Sequence, residues 1–192
     1  MRRATKSDRQ LVVKILSQSF DKNPSVNHVI IQDHLRRKRI QLLMEYSFYV
    51  CLLFGEVFIS DDSLACALVI YPDKKRPTLR SVLLNANLIF KCIGIRNIKK
   101  TLDREALLKK VRGKEKMSCL WFIGVAAEGQ HKGTGSNLLQ SVIANSTDKG
   151  RPVYLETSNE QNLPWYKKFG FNIYAEKDLG HTLYFLKRNI EK

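Results

Sequence analysis

Long apolar runs are missing from this sequence of 192 residues. No stretch reaches the roughly 18 apolar residues that a transmembrane helix needs, so we expect no membrane partner. The start of the chain, Met1–Arg3, is basic, but the polar segment Ala4–Asp8 follows where a secretory signal would have its apolar core. The sequence therefore predicts a cytoplasmic protein.

Clustered cysteines are also missing. The four cysteines, Cys51, Cys66, Cys92 and Cys119, form no Cys-x-x-Cys pair, which speaks against a structural zinc site. Cys66 and Cys119 lie inside apolar runs and Cys51 ends one, as is typical of buried thiols. We predict reduced, unpaired cysteines and no bound metal.

Acidic residues are in short supply. The chain has 33 Lys and Arg against 18 Asp and Glu, and within 61–116 the balance is fourteen against six. A basic field attracts anionic partners such as nucleic acid, a membrane surface or a phosphorylated ligand, although a solvated basic helix face is the simpler alternative. Phe90 is the only aromatic residue between Lys74 and Lys116, so nucleic acid is a candidate partner that we do not favour.

The length of the chain predicts one domain over 1–192. Apolar periodicity predicts helices over 7–20, 32–53, 133–145 and 162–169, with Asn23-Pro24-Ser25 breaking the first. It predicts strands over 2–5, 56–60, 64–71, 118–125, 153–157, 171–175 and 181–187. A basic helical insertion at about 78–116 separates the first hairpin from the strand at 118–125. This order indicates an α+β fold, with a mixed, mostly antiparallel central sheet flanked by helices.

A glycine-rich loop, Gln130-x-x-Gly133-x-Gly135, follows the strand at 118–125 and precedes an amphipathic helix. The N-terminus of a helix carries roughly half a positive charge, and glycines let a phosphate approach the backbone closely. The P-loop is excluded because Gly-Lys-Ser and Gly-Lys-Thr do not occur, and the Rossmann pattern fails because Leu138 stands where it needs glycine. The loop therefore predicts a different kind of phosphate site.

This loop resembles the acetyl-CoA-binding motif, [QR]-x-x-G-x-[GA], of the GNAT acyltransferase superfamily. The resemblance implies a GNAT-like fold in which loop residues hold the CoA pyrophosphate, mainly through backbone amides. Those residues would be Gln130, His131, Lys132, Gly133, Thr134, Gly135 and Ser136, with Lys132 adding positive charge. Ile123 and Val125 of the preceding strand would offer backbone groups to the pantetheine arm.

A second block, Leu155-Glu156-Thr157-Ser158 followed by Asn162-Leu163-Pro164 and Tyr166, is similar to the corresponding part of puromycin acetyltransferases. The resemblance makes Tyr166 the general acid, since a tyrosine with a pKa of about 10 stays protonated at neutral pH. A packing aromatic is the alternative for Tyr166. The resemblance implies that Asn162 contacts the pantetheine, and capping of the short helix by Asn162 is compatible with that role. The resemblance covers 117–187, and residues 73–116 have no counterpart in it.

The general base is less well defined by the sequence. Glu156 on the strand beside the cleft would take the proton of the amine directly or through a water, and an ordinary strand carboxylate is the alternative. His28, His34 and His181 have no motif around them, so we interpret each as a surface or packing histidine.

The resemblance implies an acyl-CoA-dependent N-acyltransferase in which a primary amine attacks the thioester of acetyl-CoA directly, without a metal. A small-molecule amine is the first choice of acceptor, ahead of a protein lysine or N-terminus. The alternative is a non-catalytic GNAT-like module that binds CoA or nucleic acid. Homodimerisation stays open, as does the role of the basic segment 74–116.

Overall fold

A seven-stranded sheet organises the chain. The computed structural model describes residues 1–190, apart from the side chain of Arg96. The sheet is antiparallel throughout, except that β4 and β5 are parallel. The strands, in their order across the sheet, are β1 (Arg2–Arg3), β2 (Gly55–Ile59), β3 (Ala65–Ile70), β4 (Ser118–Val125), β5 (Val153–Thr157), β7 (Thr182–Arg188) and β6 (Asn172–Asp178). The predicted α+β fold with a mixed, mostly antiparallel sheet is confirmed.

Helices flank this sheet. The α-helices of the described residues are α1 (Arg9–Ser19), α2 (Pro24–Val29), α3 (Arg36–Phe54), α4 (Leu79–Leu88), α5 (Ile98–Arg112), α6 (Thr134–Thr147) and α7 (Leu163–Lys168). The predicted insertion consists of α4, a π turn over Ile89–Ile93, a 3-10 turn over Ile95–Asn97, and α5. Within the described chain, no helix combines the length and the apolar character needed to cross a membrane.

The short helix α2 was not predicted, because its first residues were interpreted only as a break. The side chain of Asn23 accepts a hydrogen bond from the Val26 N–H at 3.1 Å and so caps a new helix. Pro24 lies in its first turn, where the missing N–H of proline costs nothing. The Asn-Pro pair therefore ends one helical segment and starts another.

Helices cover the two faces of the sheet with separate hydrophobic layers. On the first, which we call the α1 face, α1 and α3 pack against Cys66 and Leu68 of β3. On the second, the α6 face, α6 and α7 pack against Ala67 and Val69. This division follows from the alternation of side chains along a strand. All four cysteines are buried and unpaired, as predicted.

The insertion extends the layer on the α1 face. Leu108 of α5 forms a buried cluster with Leu183 and Phe185 of β7. The next residue of that strand, Leu186, belongs to the cluster of the α6 face. Since successive strand residues point to opposite faces, α5 covers β7 on the α1 face.

The parallel pairing of β4 and β5 ends after three residue pairs, at Leu120 opposite Leu155. Trp121 is an extra residue in β4, because Leu120 pairs with Val69 while Phe122 pairs with Leu68. A bulge of this kind bends a strand. In the pairing of the described residues, β4 then continues beside β3 alone and β5 beside β7 alone. A gap therefore opens between the carboxyl ends of β4 and β5.

Gly55, at the junction of α3 and β2, provides a test of this packing. A Cβ at Gly55 would lie 2.0 Å from the backbone oxygen of Val69. We expect Gly55→Ala to lower the free energy of unfolding by about 3 kcal/mol or more, because β2 must shift against β3. Gly150→Ala is the control: its φ is +63° with no atom within 4 Å of the new Cβ, so it should cost only about 1 kcal/mol. Urea unfolding measures both, and equal losses would contradict the close approach.

Candidate active site

A cleft of about 1440 Å³ occupies the gap between β4 and β5. The loop before α6 and the N-terminal part of α7 line it from one side, and α2 and the insertion line it from the other. Both faces of the sheet therefore meet at this one opening.

The loop between β4 and α6 has two residues in the left-handed backbone region. His131 has a φ of +60° and Gly133 a φ of +82°. For His131, which has a Cβ, this conformation is uncommon. The first bond of α6 runs from the Asn137 N–H to the Gly133 carbonyl at 2.9 Å, so the amides of residues 134–136 precede it, and no described side chain caps the helix. An uncapped helix N-terminus is suited to binding an anion.

Neighbouring contacts fix this helix N-terminus against the sheet. A Cβ at Gly135 would lie 3.0 Å from Cγ2 of Val125, so little space separates α6 from β4. The Thr134 hydroxyl donates to the Asp62 carboxylate, in the turn between β2 and β3, at 3.0 Å. Nε2 of Gln130 donates to the Val125 carbonyl at 3.5 Å. The N-terminus of α6 is thereby held beside the end of β4.

Most of the predicted site residues come together in this cleft. Its lining includes Ile123, Val125, Gln130, His131, Gly133, Gly135, Ser136, Glu156, Asn162 and Tyr166. Lys132 and Thr134 are outside the lining: the Lys132 residue is exposed at the surface and the Thr134 side chain is buried beside Asp62. The role of Lys132 beside the pyrophosphate stays a prediction.

Tyr166 of α7 packs its ring against Trp165 and Phe171, with centroid distances of 4.8 and 5.7 Å. Only 6% of Tyr166 is exposed, yet it lines the cleft. Burial raises the pKa of its phenol above the ordinary value, because the ionised form would be desolvated. Among residues 1–190 its hydroxyl has no hydrogen-bond partner. Tyr166 is therefore a protonated donor available to a ligand in the cleft.

A hydrogen bond links α7 to the first turn of α6, and the side-chain amide of Asn162 makes no capping bond. Nε1 of Trp165 donates to the Ser136 hydroxyl at 3.0 Å, which links α7 to the first turn of α6. Asn162 precedes α7 without capping it, whereas the Asn159 side chain accepts from the Gln161 N–H at 3.1 Å in the turn before. The capping alternative for Asn162 is therefore not the arrangement found.

Glu156, the candidate base, is held by an arginine of the insertion. Nε and Nη2 of Arg112 donate to the two carboxylate oxygens at 2.6 and 2.8 Å, and the two side chains are 16% and 9% exposed, respectively. Because Leu155 points to the α6 face, Glu156 points to the α1 face, where α5 lies. The bidentate pair fixes the orientation of the carboxylate.

Ser25, His28 and His181 form a cluster that no motif indicated. The Ser25 hydroxyl lies 2.9 Å from Nε2 of His181, and the two imidazole rings are 5.2 Å apart. Burial, followed by the positive charges of Lys100 and Arg104, lowers the pKa of both histidines, which favours neutral rings at pH 7. The histidines are packing residues, as interpreted, but Ser25 also lines the cleft.

Arg104 and Arg112 also line the cleft, and neither was predicted as a site residue. Both belong to the segment without a counterpart in the family resemblance. The only signal in the sequence was the excess of basic residues within 61–116. That excess predicts an attraction for anions but does not say which cations face the site.

The same fold occurs in solved structures of acetyltransferases. Histone acetyltransferase HPA2 and related acetyltransferase from Corynebacterium glutamicum aligns with a TM-score of 0.69 at 18% identity, over 100% of this chain and 96% of that one. Arylalkylamine N-acetyltransferase 2 from Aedes aegypti aligns with a TM-score of 0.64 at 17% identity, over 99% and 98%. The C-terminal condensation domain of Ebony aligns with a TM-score of 0.72 at 10% identity, over 97% and 96%. These likenesses define the class of fold, that of the acetyltransferases.

Sequence comparison identifies the family. The model of the Acetyltransferase (GNAT) family matches residues 67–171, more than half of the chain, so the chain belongs to the GNAT acetyltransferase family. An uncharacterized N-acetyltransferase of Schizosaccharomyces pombe is 35% identical over 63 residues, 31% of this chain and 26% of the relative. The 5-NmdU N-acetyltransferase of Pseudomonas phage PaMx11 is 30% identical over 79 residues, 41% of this chain and 55% of the relative. The matches thus span about a quarter and about half of these relatives. The finer likeness to puromycin acetyltransferases stays a prediction.

Removing Arg112 should destabilise the fold, because Glu156 would remain buried without its partner. We expect Arg112→Met to lower the free energy of unfolding by about 3–5 kcal/mol. Adding Glu156→Gln should restore part of that loss, since no unpaired carboxylate is then buried. Urea unfolding of the wild type, both single variants and the double variant measures the coupling, and strictly additive losses would contradict a direct pair.

Proposed function

We propose that this member of the GNAT family is a cytoplasmic N-acetyltransferase that transfers an acetyl group from acetyl-CoA to a primary amine. The acceptor is a small molecule, and its nitrogen attacks the thioester directly. The observation that carries the proposal is that the uncapped N-terminus of α6, the hydroxyl of Tyr166 and the carboxylate of Glu156 share one cleft. Buried, unpaired cysteines agree with a reducing compartment.

The donor binds on the side of the cleft formed by α6 and α7. The amides of residues 134–136 lack intrahelical partners and bind the pyrophosphate of CoA. Ile123 and Val125 lie on the part of β4 that no longer pairs with β5, and they offer backbone groups to the pantetheine amides. The side-chain amide of Asn162 adds a further contact. This arrangement carries the thioester to the gap between the strands.

Tyr166 supplies the proton that the leaving group needs. As the amine nitrogen bonds to the acetyl carbon, the carbon–sulfur bond breaks and its electron pair stays on sulfur. The phenolic proton of Tyr166 then passes to that sulfur, and the second proton that the acylated nitrogen must lose returns to the phenol through water. Burial raises the pKa of Tyr166, so the residue remains protonated and competent at neutral and moderately alkaline pH.

Glu156 acts on the amine from the α1 face. The acceptor arrives as an ammonium ion and must lose a proton before its nitrogen can attack. Glu156 takes this proton directly or through a water, while Arg112 keeps the carboxylate in a fixed orientation.

Tyr166→Phe tests the acid. We expect kcat to fall about 100-fold with little change in the KM for acetyl-CoA, because the ring is kept and only the proton donor is lost. Tyr154→Phe is the matched control: the Tyr154 hydroxyl donates to Glu115 at 2.6 Å, and Tyr154 is not among the residues that line the cleft. Thiol release with a panel of amines measures both variants. Full activity in Tyr166→Phe would remove the acid role alone.

The pH profile gives a second readout for Tyr166. Burial raises the pKa of Tyr166, so we expect the phenol to keep its proton at every pH below about 10. In that range kcat should show no decrease caused by ionisation of Tyr166. A fall in kcat that is centred near pH 8 in the wild type and absent from Tyr166→Phe would contradict this environment.

A charge placed at the N-terminus of α6 tests the donor site. Gly135→Asp and Gly135→Asn add side chains of nearly equal size, so their difference isolates the charge. We expect acetyl-CoA to bind Gly135→Asp at least about tenfold more weakly than Gly135→Asn in calorimetry, a difference of about 1.4 kcal/mol. An acidic residue in the first turn stabilises a helix, so Gly135→Asp should be at least as stable to unfolding as Gly135→Asn. Weaker binding of acetyl-CoA by the Asp variant would then not result from a less stable fold.

The same titrations decide between the enzyme and a binding module. A wild-type protein that does not bind acetyl-CoA would overturn the proposed function. Binding without transfer to any amine would favour the non-catalytic alternative.

A further inference from the structure

Arg104 of α5 is an incompletely paired cation inside the cleft. Its side chain is 18% exposed and it lines the cleft. Its Nε is buried and makes no hydrogen bond to any described residue. Its nearest carboxylate is that of Glu105, at 3.9 Å, too long for a hydrogen bond. A largely buried guanidinium with an N–H donor that makes no hydrogen bond destabilises the fold, unless a ligand accepts that hydrogen bond.

The charged groups around Arg104 do not supply that missing partner. Both carboxylate oxygens of Glu156 accept hydrogen bonds from Arg112. The side chain of Glu105 is 52% exposed, so solvent screens its charge. The other titratable groups that interact with Arg104 are Arg112, which is paired with Glu156, and the two histidines His28 and His181, both favoured in the neutral form. Burial lowers the pKa of Arg104, and Glu105 and Glu156 oppose that shift only in part. None of the described charged groups therefore gives Arg104 a hydrogen-bonded anion, and a ligand could supply one.

Helical geometry places this cation beside the proposed acceptor position. Residues four apart lie on one side of a helix, so Arg104, Leu108 and Arg112 form a stripe along α5. Leu108 anchors the stripe on β7, and Arg112 ends it at Glu156. Arg104 and Arg112 are therefore separated by about 12 Å along the helix axis, which is the reach of a small molecule with charged groups at two ends.

We propose that Arg104 forms an oxyanion subsite, so that the acceptor is an amine that also carries a carboxylate or a phosphate group. This inference rests on the proposed function and deepens it. The amine lies near Glu156 while the anionic group of the same molecule pairs with Arg104. A guanidinium suits both anions, because its fork of N–H donors matches two oxygens at once.

Matched acceptors test this subsite. Linear amino carboxylic acids of two to ten carbons, the corresponding amino amides and aminoalkyl phosphates are compared in the acetyl-CoA assay. The amino amide differs from the amino acid mainly in lacking the negative charge. Comparing the aminoalkyl phosphates with the amino acids shows whether Arg104 prefers a phosphate or a carboxylate. We expect the wild type to prefer an anionic acceptor over its neutral counterpart at least tenfold in kcat/KM, through a lower KM.

Variants of Arg104 identify the residue responsible. Arg104→Met keeps the aliphatic stem, and we expect it to lower the ratio of kcat/KM for anionic over neutral acceptors at least tenfold. Arg104→Lys should keep part of that ratio, because it retains the charge without the fork. Lys109→Met removes an exposed charge from the same helix and should leave the ratio as it is in the wild type.

The outcomes separate this inference from the proposed function. Transfer to neutral and anionic amines at equal kcat/KM would overturn the subsite and leave the acetyltransferase standing. A loss in Arg104→Met that is equal for both kinds of acceptor would also overturn it, since that loss would indicate a structural role. Transfer to none of these amines would overturn the subsite, and failure to bind acetyl-CoA would overturn the proposed function with it.

Discussion

The early end of the parallel pairing between β4 and β5 is the constraint on which the site depends. After Leu120 and Leu155 the two strands no longer share hydrogen bonds, and the bulge at Trp121 lies at the point where the pairing ends. Backbone groups that a continuous sheet would satisfy internally are thereby left for a ligand. Because α6 begins a few residues beyond the end of β4, its N-terminus reaches the same opening.

Side-chain alternation divides the chemistry between the two faces of the sheet. Leu155 is buried under α6 and α7, so the next residue, Glu156, must point to the opposite face. The α6 face carries the uncapped helix N-terminus and Tyr166, whereas the α1 face carries Glu156 and the arginines of α5. A shift of β5 by one residue would exchange these roles. The buried apolar residues of β5 therefore fix the position of the charged one.

The side of the cleft near α6 could be predicted because its residues are close in the chain. The strand at 118–125 was predicted with its observed bounds, and its loop and helix follow directly, so local order was sufficient. The other side depends on contacts between distant residues. Arg112 and Glu156 are 44 residues apart, and no periodicity shows which face of α5 meets β5. The start of α2 was missed for a local reason, since Asn23-Pro24 has the pattern of both a break and a cap.

Where the basic residues lie matters more for function than how many there are. Residues 61–116 carry fourteen basic side chains, but Arg104 and Arg112 are turned towards the cleft, whereas Lys99 and Lys109 of the same helix are exposed. Solvent screens an exposed lysine over about 8–10 Å at ordinary salt, while a desolvated guanidinium acts with little screening. Arg112 is already paired with Glu156, so Arg104 is the one of these two cations whose charge is incompletely balanced. A charge excess in the sequence is compatible with several anionic partners, so the positions of the charges are needed to choose among them.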